Sequence, residues 1–247
     1  MQRLSTGTEP CTPPGNSEYE VSLFGPGYGE GVVIHLGSGQ WAMVDSCVTG
    51  RTKAPAGLAY LQRLGVRPEE AIRLVVATHW HDDHMAGISQ ILAAATRARF
   101  VCSDALRCKD LLTLVAVKRR LPASGLGTGV DEIRNVFDCL RQRGASPDLA
   151  REGQLLLRDP VRLWALSPSS EICLKFREAI AEELGQARFT HRVPAPPGPN
   201  EASVVLLMET PSHHVLLGAD LEVGTHGSGW NCVLESTVRP STRAAVF

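Results

Sequence analysis

Four side chains able to ligate a metal fall within six residues: His79, His81, Asp83 and His84, in the run Thr78-His79-Trp80-His81-Asp82-Asp83-His84. Imidazole and carboxylate together suit zinc, and also manganese or iron. His79 and His81 are two apart, so in extended backbone they project to the same side. Asp83 and His84 come around the following turn and can face a second metal. One metal held by four protein ligands would be a closed, structural site, whereas two metals sharing these ligands would keep positions for water. A lone histidine is usually packed or solvated. Three histidines and two acids directly after an apolar run point instead to metal binding.

The flanking elements set where this run sits. Ile72 to Ala77 reads as a buried strand and Met85 to Ala95 as a helix, so the ligands lie on a loop between strand end and helix start. Upstream, Glu20 to Phe24, Gly31 to Leu36 and Trp41 to Val44 form a β-meander that ends at Asp45, followed by a helix over Ala56 to Leu64 that stops at Gly65. Downstream, a strand is expected over Arg99 to Cys102 and helices over Ala105 to Arg120 and Glu132 to Gln142. Val161 to Leu166 is a strand, and Ser167-Pro168-Ser169-Ser170 caps a helix running to about Leu184. Ala202 to Met208 and Val215 to Leu217 make a last hairpin closing at Gly218-Ala219-Asp220. Grouped strands with helices between them fit a mixed α/β (α+β) sandwich, sheet inside and helices outside, better than an alternating βαβ sheet. No Gly-rich phosphate loop supports a Rossmann or P-loop reading. Residues 1–17 read as a loose leader rich in Pro, Thr, Ser and Gly, and 18–247 as one domain.

Bulk properties narrow the class. With 43% hydrophobic and 21% charged residues the chain is an ordinary globular protein, and its net charge of −1 gives no broad footprint for nucleic acid or an anionic membrane. No run approaches the roughly 20 apolar residues of a membrane span, and Met1 to Glu20 has no signal-peptide apolar core. No membrane partner and a cytoplasmic location are therefore expected. The seven cysteines are odd in number and form no CxxC pair, so buried thiols are expected rather than a disulfide framework or zinc ribbon. Lys118-Arg119-Arg120 reads as a solvated helix end ahead of Pro122, and His35 as a packed or edge histidine within a strand. His213 and His214 read as solvated turn residues.

His79-x-His81-x-Asp83-His84 resembles the HxHxDH signature of the metallo-β-lactamase superfamily of metal-dependent hydrolases. Val44-Asp45-Ser46 resembles that family's strand-end aspartate, and Gly218-Ala219-Asp220 its Gly-x-Asp segment, whose aspartate bridges two metals. The order and separations match over roughly residues 20 to 222. The resemblance implies an αββα sandwich with a dinuclear site, two zinc ions per chain being expected in a complete site (manganese or iron being alternatives), held by His79, His81, Asp83, His84 and Asp220. Asn200-Glu201-Ala202-Ser203-Val204-Val205-Leu206 and Gly25-Pro26-Gly27-Tyr28-Gly29-Glu30 resemble the hydrolase domain of bacterial DNA-uptake (competence) proteins and their soluble relatives.

Two departures from the family pattern stand out. Many members carry a further histidine between the HxHxDH loop and the bridging aspartate; the matching region here offers Asn200 or, more loosely, His191. Relatives also continue past Gly-x-Asp to a late histidine, often in His-His-Gly-Ser, whereas the present sequence runs to Arg243-Ala244-Ala245-Val246-Phe247. His226, six residues after Asp220, is a weak echo of it. A C-terminally shortened hydrolase, its second half incomplete, is the expectation that follows.

The resemblance implies metal-assisted hydrolysis, with paired metals lowering the pKa of a shared water. Asp83 would also steer the water's proton, and Asp45 would orient the loop by hydrogen bonds to the ligands. A phosphodiester or related small-molecule or nucleotide substrate, nucleic acid included, is expected from the branch resembled. Trp80 and Asp82, the variable positions of the motif, could line the substrate mouth. The competing expectations are a non-catalytic metal-binding protein, a subunit that needs a partner to complete its sheet, and a thioester hydrolase.

Overall fold

A computed structural model describes residues 12–25, 29–50, 53–105, 128–186, 198–224 and 227–245. In chain order these hold β1 (Glu20–Phe24), β2 (Gly31–Gly37), β3 (Gln40–Asp45), a small ribbon of β4 (Val48–Thr49) and β5 (Ala54–Pro55), α1 (Ala56–Arg63), α2 (Pro68–Ala71) and β6 (Ile72–Ala77). Next come α3 (Asp82–Met85), α4 (Ile88–Ala94), β7 (Arg99–Ser103), α5 (Thr128–Gln142), β8 (Asp148–Ala150), β9 (Gln154–Leu157) and β10 (Arg162–Ala165). The last are α6 (Ser170–Gln186), a 3-10 turn (Pro199–Ala202), β11 (Leu206–Glu209), β12 (His214–Leu217) and α7 (Gly229–Glu235).

Two sheets stack face to face, one ordered β1-β2-β3-β6-β7-β8 and the other β12-β11-β10-β9. β1, β2 and β3 pair antiparallel, then β3, β6, β7 and β8 run parallel. The central strands are buried on both faces, which is why β2, β3 and β6 read as continuous apolar runs. One core lies on the helical side of the first sheet, where Val33, Met43 and Val75 meet Leu61, Ile91, Phe137 and Phe176. A second lies between the sheets, where Ile34, Val44 and Val76 meet Leu163, Leu206 and Met208. A third lies beyond the second sheet, where Leu207 and Val205 meet Cys232 and Val233 of α7. Three cores between four layers make an αββα sandwich, as the sequence led us to expect.

The structure corrects the element map at several places. The expected helix from Met85 to Ala95 is two pieces, broken where Gly87 takes the left-handed conformation at φ 81°. The helix expected from Glu132 starts at Thr128. Strands β8 and β9 and helix α7 were not expected at all. The strand expected from Ala202 begins only at Leu206, because Pro199 to Ala202 forms a 3-10 turn. Within the expected capping run Ser167-Pro168-Ser169-Ser170, Ser169 caps α6, its hydroxyl accepting the Ile172 N–H at 3.2 Å. Most of the expected helix over Ala105 to Arg120, with Lys118-Arg119-Arg120, lies outside the described residues, as do His191, His226 and Val246-Phe247. Among the described residues no helix is long and apolar enough to cross a membrane.

Candidate metal centre

Parallel pairing of β3 with β6 sets Val44 beside Val76, so both strands end on one rim and deliver Asp45 next to Thr78. Asp45 sits at φ 56°, a left-handed conformation that aspartate tolerates better than most residues. Its buried carboxylate accepts three hydrogen bonds: from the Thr78 N–H to Oδ1 at 2.7 Å, from the Thr78 hydroxyl to Oδ2 at 2.6 Å, and from His84 Nδ1 to Oδ2 at 2.9 Å. Because the Thr78 hydroxyl gives its proton to Asp45, its oxygen is left to accept from His79 Nδ1 at 2.9 Å. Both histidines are thereby fixed with Nδ1 protonated and Nε2 turned away from Asp45. Asp45 thus orients His84 directly and His79 through Thr78, the kind of support that metal-binding histidines ordinarily receive.

The loop is also fastened by its backbone. The carbonyls of Asp83 and His84 accept from Glu30 N–H at 2.9 Å and Ser46 N–H at 2.8 Å, and Ala86 accepts from the Ser46 hydroxyl at 2.7 Å. From the segment leading into β11, Val204 N–H donates to the Thr78 carbonyl at 3.0 Å.

On the far side of these supports the donors converge. His79 Nε2 lies 3.1 Å from His81 Nδ1 and 3.8 Å from Asp220 Oδ2, while His84 Nε2 lies 3.3 Å from Asp220 Oδ1. Two ligands of one tetrahedral zinc, with bonds of roughly 2.0–2.1 Å, stand about 3.3 Å apart. The His79 and His81 imidazole nitrogens and the Asp220 carboxylate at these separations therefore fit a divalent cation. Among the described residues, the groups whose donor atoms all lie within 4.8 Å are His79, His81 and Asp220, and Asp45, His79 and His84. Asp83 is in neither group, although the sequence places it among the ligands; its half-buried side chain adds negative charge near His84.

Charge tells the same story. Burial holds His79 neutral, its pKa lowered to about 4 against the pull of Asp45. Burial also lowers His84, but the Asp45 hydrogen bond and the Asp45, Asp220 and Asp83 carboxylates outweigh it and raise its pKa to about 9. Glu30, which the sequence offered only as part of a resembling segment, adds a fourth carboxyl. Burial raises its pKa, Asp45, Asp220 and Asp83 raise it further, and His84 opposes them. Acids crowded around a neutral His79 and a His84 whose charged form they favour make a site electrostatically suited to positive charge.

Other candidates fall elsewhere. The Asn200 amide donates to Glu222 at 3.1 Å. Trp80 is packed edge-to-face on Phe176 at 5.6 Å instead of lining a mouth, and Asp82 Oδ1 accepts from Gly129 N–H in the first turn of α5. His35 is fully buried against Trp41, its Nδ1 bonded to the Glu18 carbonyl at 2.9 Å. His213 is exposed and His214 opens β12.

No family profile and no curated protein sequence matches the chain. Among solved structures it is similar to Rm3 metallo-beta-lactamase, at 15% identity over 82% of this chain and 58% of that one, with a TM-score of 0.44. It is similar to metallo-beta-lactamase SMB-1 bound to 2-mercaptoethanesulfonate, at 16% identity over 87% of this chain and 66% of that one, TM-score 0.44. BJP-1, a subclass B3 metallo-beta-lactamase of Bradyrhizobium japonicum, matches at 15% identity over 85% of this chain and 64% of that one, TM-score 0.45. The chain thus spans 58–66% of the length of these three structures.

Proposed function

We propose that this chain is a dinuclear metal-dependent hydrolase that acts on a phosphodiester. The observation that supports it most is the split carboxylate of Asp220, with Oδ2 turned to His79 and Oδ1 to His84. Asp220 would help to hold two cations, one with His79 and His81 and the other with His84. Two divalent cations, when bound, supply an activated water and offset negative charge on the attacked group. The chain's own residues prepare for this in three ways. Asp45 and Thr78 hold the Nε2 atoms of His84 and His79 toward one point. Glu30 N–H and Ser46 N–H keep the loop from moving when a ligand pulls on it. Asp83 and Glu30 flank the centre with carboxyls able to hold a proton from water. The phosphodiester assignment rests on the likeness of Asn200 to Leu206 and Gly25 to Glu30 to the competence-type hydrolase domains.

The test is hydrolysis of bis-p-nitrophenyl phosphate by zinc- and by manganese-loaded chain, beside His81→Ala and Asp220→Ala. We expect turnover in the parent and a loss of about a hundredfold or more in both variants, the scale of removing an electrostatic catalytic group. Parent-like turnover in either variant would overturn the reading.

A further inference from the structure

Of the three histidines in the loop, two are aimed through their own rings and one is not. His84 reaches Asp45 directly and His79 reaches it through Thr78. The His81 ring has one neighbour at hydrogen-bond distance among the described residues, His79 Nε2 at 3.1 Å. That neighbour is a fellow donor of the centre and gives His81 no outside support. What places His81 must act through the backbone on either side of it. His81 is extended, at φ −69° and ψ 148°. Side chains alternate in direction along extended backbone, so Trp80 and Asp82 turn away from the His81 ring.

Both neighbours end on the helical layer. Trp80 is buried in the helical-side core, edge-on to Phe176 of α6. Asp82 Oδ1 accepts the Gly129 N–H of α5 at 2.5 Å. A Cβ on Gly129 would lie 2.6 Å from the Trp80 carbonyl oxygen and 3.3 Å from the Asp82 nitrogen. The backbone from Trp80 to Asp82 therefore rests on α5 at a point where only glycine leaves room. Glu132, further along α5, returns the contact: its Oε2 accepts the Ser89 N–H of α4 at 3.1 Å. Carboxylates accepting backbone N–H groups make strong hydrogen bonds, and here one from each side fastens α5 to the loop and to the helix that follows. The other end of the loop is held elsewhere. His84 has its own bond to Asp45, and the Asp83 and His84 carbonyls accept from Glu30 and Ser46 on the strand rim. The rim thus supports the His84 end and α5 the His81 end.

We propose that Asp82 is a positioning residue: its bond to Gly129 seats the backbone of His81 on α5 and so places the His81 ring for the cation shared with His79 and Asp220. The position requires an acceptor oxygen, not a negative charge. The proposal rests on the metal-centre reading above. The test is cobalt titration of the full metal-free chain, followed by visible absorption, which reports the ligands around each ion, with thermal unfolding of the metal-free samples alongside. His81→Ala marks the step that belongs to His79, His81 and Asp220. Asp82→Ala should weaken that step by about tenfold or more, the scale of losing a residue that supports a ligand, and leave the other step unchanged. Asp82→Asn keeps an oxygen for the Gly129 N–H and should recover most of the loss. Gly129→Ala leaves Asp82 in place but forces α5 off the loop, and should weaken the same step. Parent-like binding in Asp82→Ala, equal loss at both steps, or an Asp82→Asn as weak as Asp82→Ala would overturn the proposal; the last would make the charge, not the bond, the contribution. A parent that binds no cobalt contradicts the metal centre itself and takes the proposal with it. A parent that binds a single ion contradicts only the dinuclear reading, and Asp82→Ala must then weaken that ion for the proposal to stand.

Discussion

Thr78 carries no charge and ligates nothing, yet two histidine orientations depend on it. Its hydroxyl stands between Asp45 and His79, and its N–H ties down the other Asp45 oxygen. Thr78→Val keeps the shape and removes the relay. We expect zinc affinity to fall about 10–100-fold, the usual cost of losing such support, with little change in the circular dichroism spectrum. Asp45→Asn should do at least as much, because an amide nitrogen placed toward Thr78 or His84 opposes a donor. Competition with a chromophoric chelator measures both; parent-like affinity in Thr78→Val would show that His79 is oriented by other contacts. At this scale the sequence was legible where residue type alone states the chemistry. His79, His81 and His84 announce themselves by spacing. Thr78 does not, because its function lies in which way one hydroxyl proton points. Asp83 illustrates the reverse: a residue type suited to ligation whose side chain the fold leaves outside both donor groups.

Elements bring these residues together through backbone contacts that a pattern of apolar residues does not encode. Gly29 is one such contact. It sits at φ 105°, and a Cβ there would lie 2.7 Å from the Asp83 carbonyl oxygen, the acceptor of the Glu30 N–H. We expect Gly29→Ala to destabilise the chain by about 1–3 kcal/mol, the cost of a residue forced into a rare conformation, and to weaken zinc binding as well. Urea unfolding with and without zinc separates the two effects. Strand period identified β1 by its alternation and β2, β3 and β6 as longer apolar runs. It missed β8 and β9, which have three and four residues and depend on their neighbours for pairing. It also ran the helix through Gly87, because the apolar spacing of Ile88, Ile91 and Leu92 continues in phase with Met85. Tertiary contact, not local preference, decides such boundaries.

The second sheet offers a pH test. Buried Glu209 accepts from Trp164 Nε1 at 2.8 Å and the Thr242 hydroxyl at 2.6 Å, and pairs with Arg162 at 3.0 Å. Burial alone would raise its pKa, but the Thr242 and Trp164 hydrogen bonds and then Arg162 outweigh it and hold the carboxyl below its ordinary range. A depressed folded-state pKa contributes stability that is full above the unfolded value, about 4.3, and is lost as pH falls through the folded value. Glu209→Gln should therefore lower the melting temperature at pH 7 and narrow the difference from the parent as pH drops below about 4. A difference independent of pH would show that the charge on Glu209 is not what stabilises this corner.

Across the whole molecule, a sandwich with sheet inside and helices outside was readable from grouped strands and intervening helices, because each layer must bury one apolar face, and the αββα order was what the family resemblance implied. The exposure of Val21 and Leu23 on β1 was not readable, since it depends on what packs over that strand. The layering explains the position of the centre: parallel strands ending on one rim supply Asp45 and the histidine loop, and the second sheet supplies Asp220 from beyond β12. The measurement that reaches this most directly is zinc bound per chain, by elemental mass spectrometry, for the parent and for Asp220→Ala, both confirmed as folded. We expect about two equivalents in the parent, the complement of a paired-metal hydrolase, and about one or fewer in Asp220→Ala. Less than about half an equivalent in a folded parent, or an unchanged two in Asp220→Ala, would contradict a centre in which that carboxylate joins the two sides.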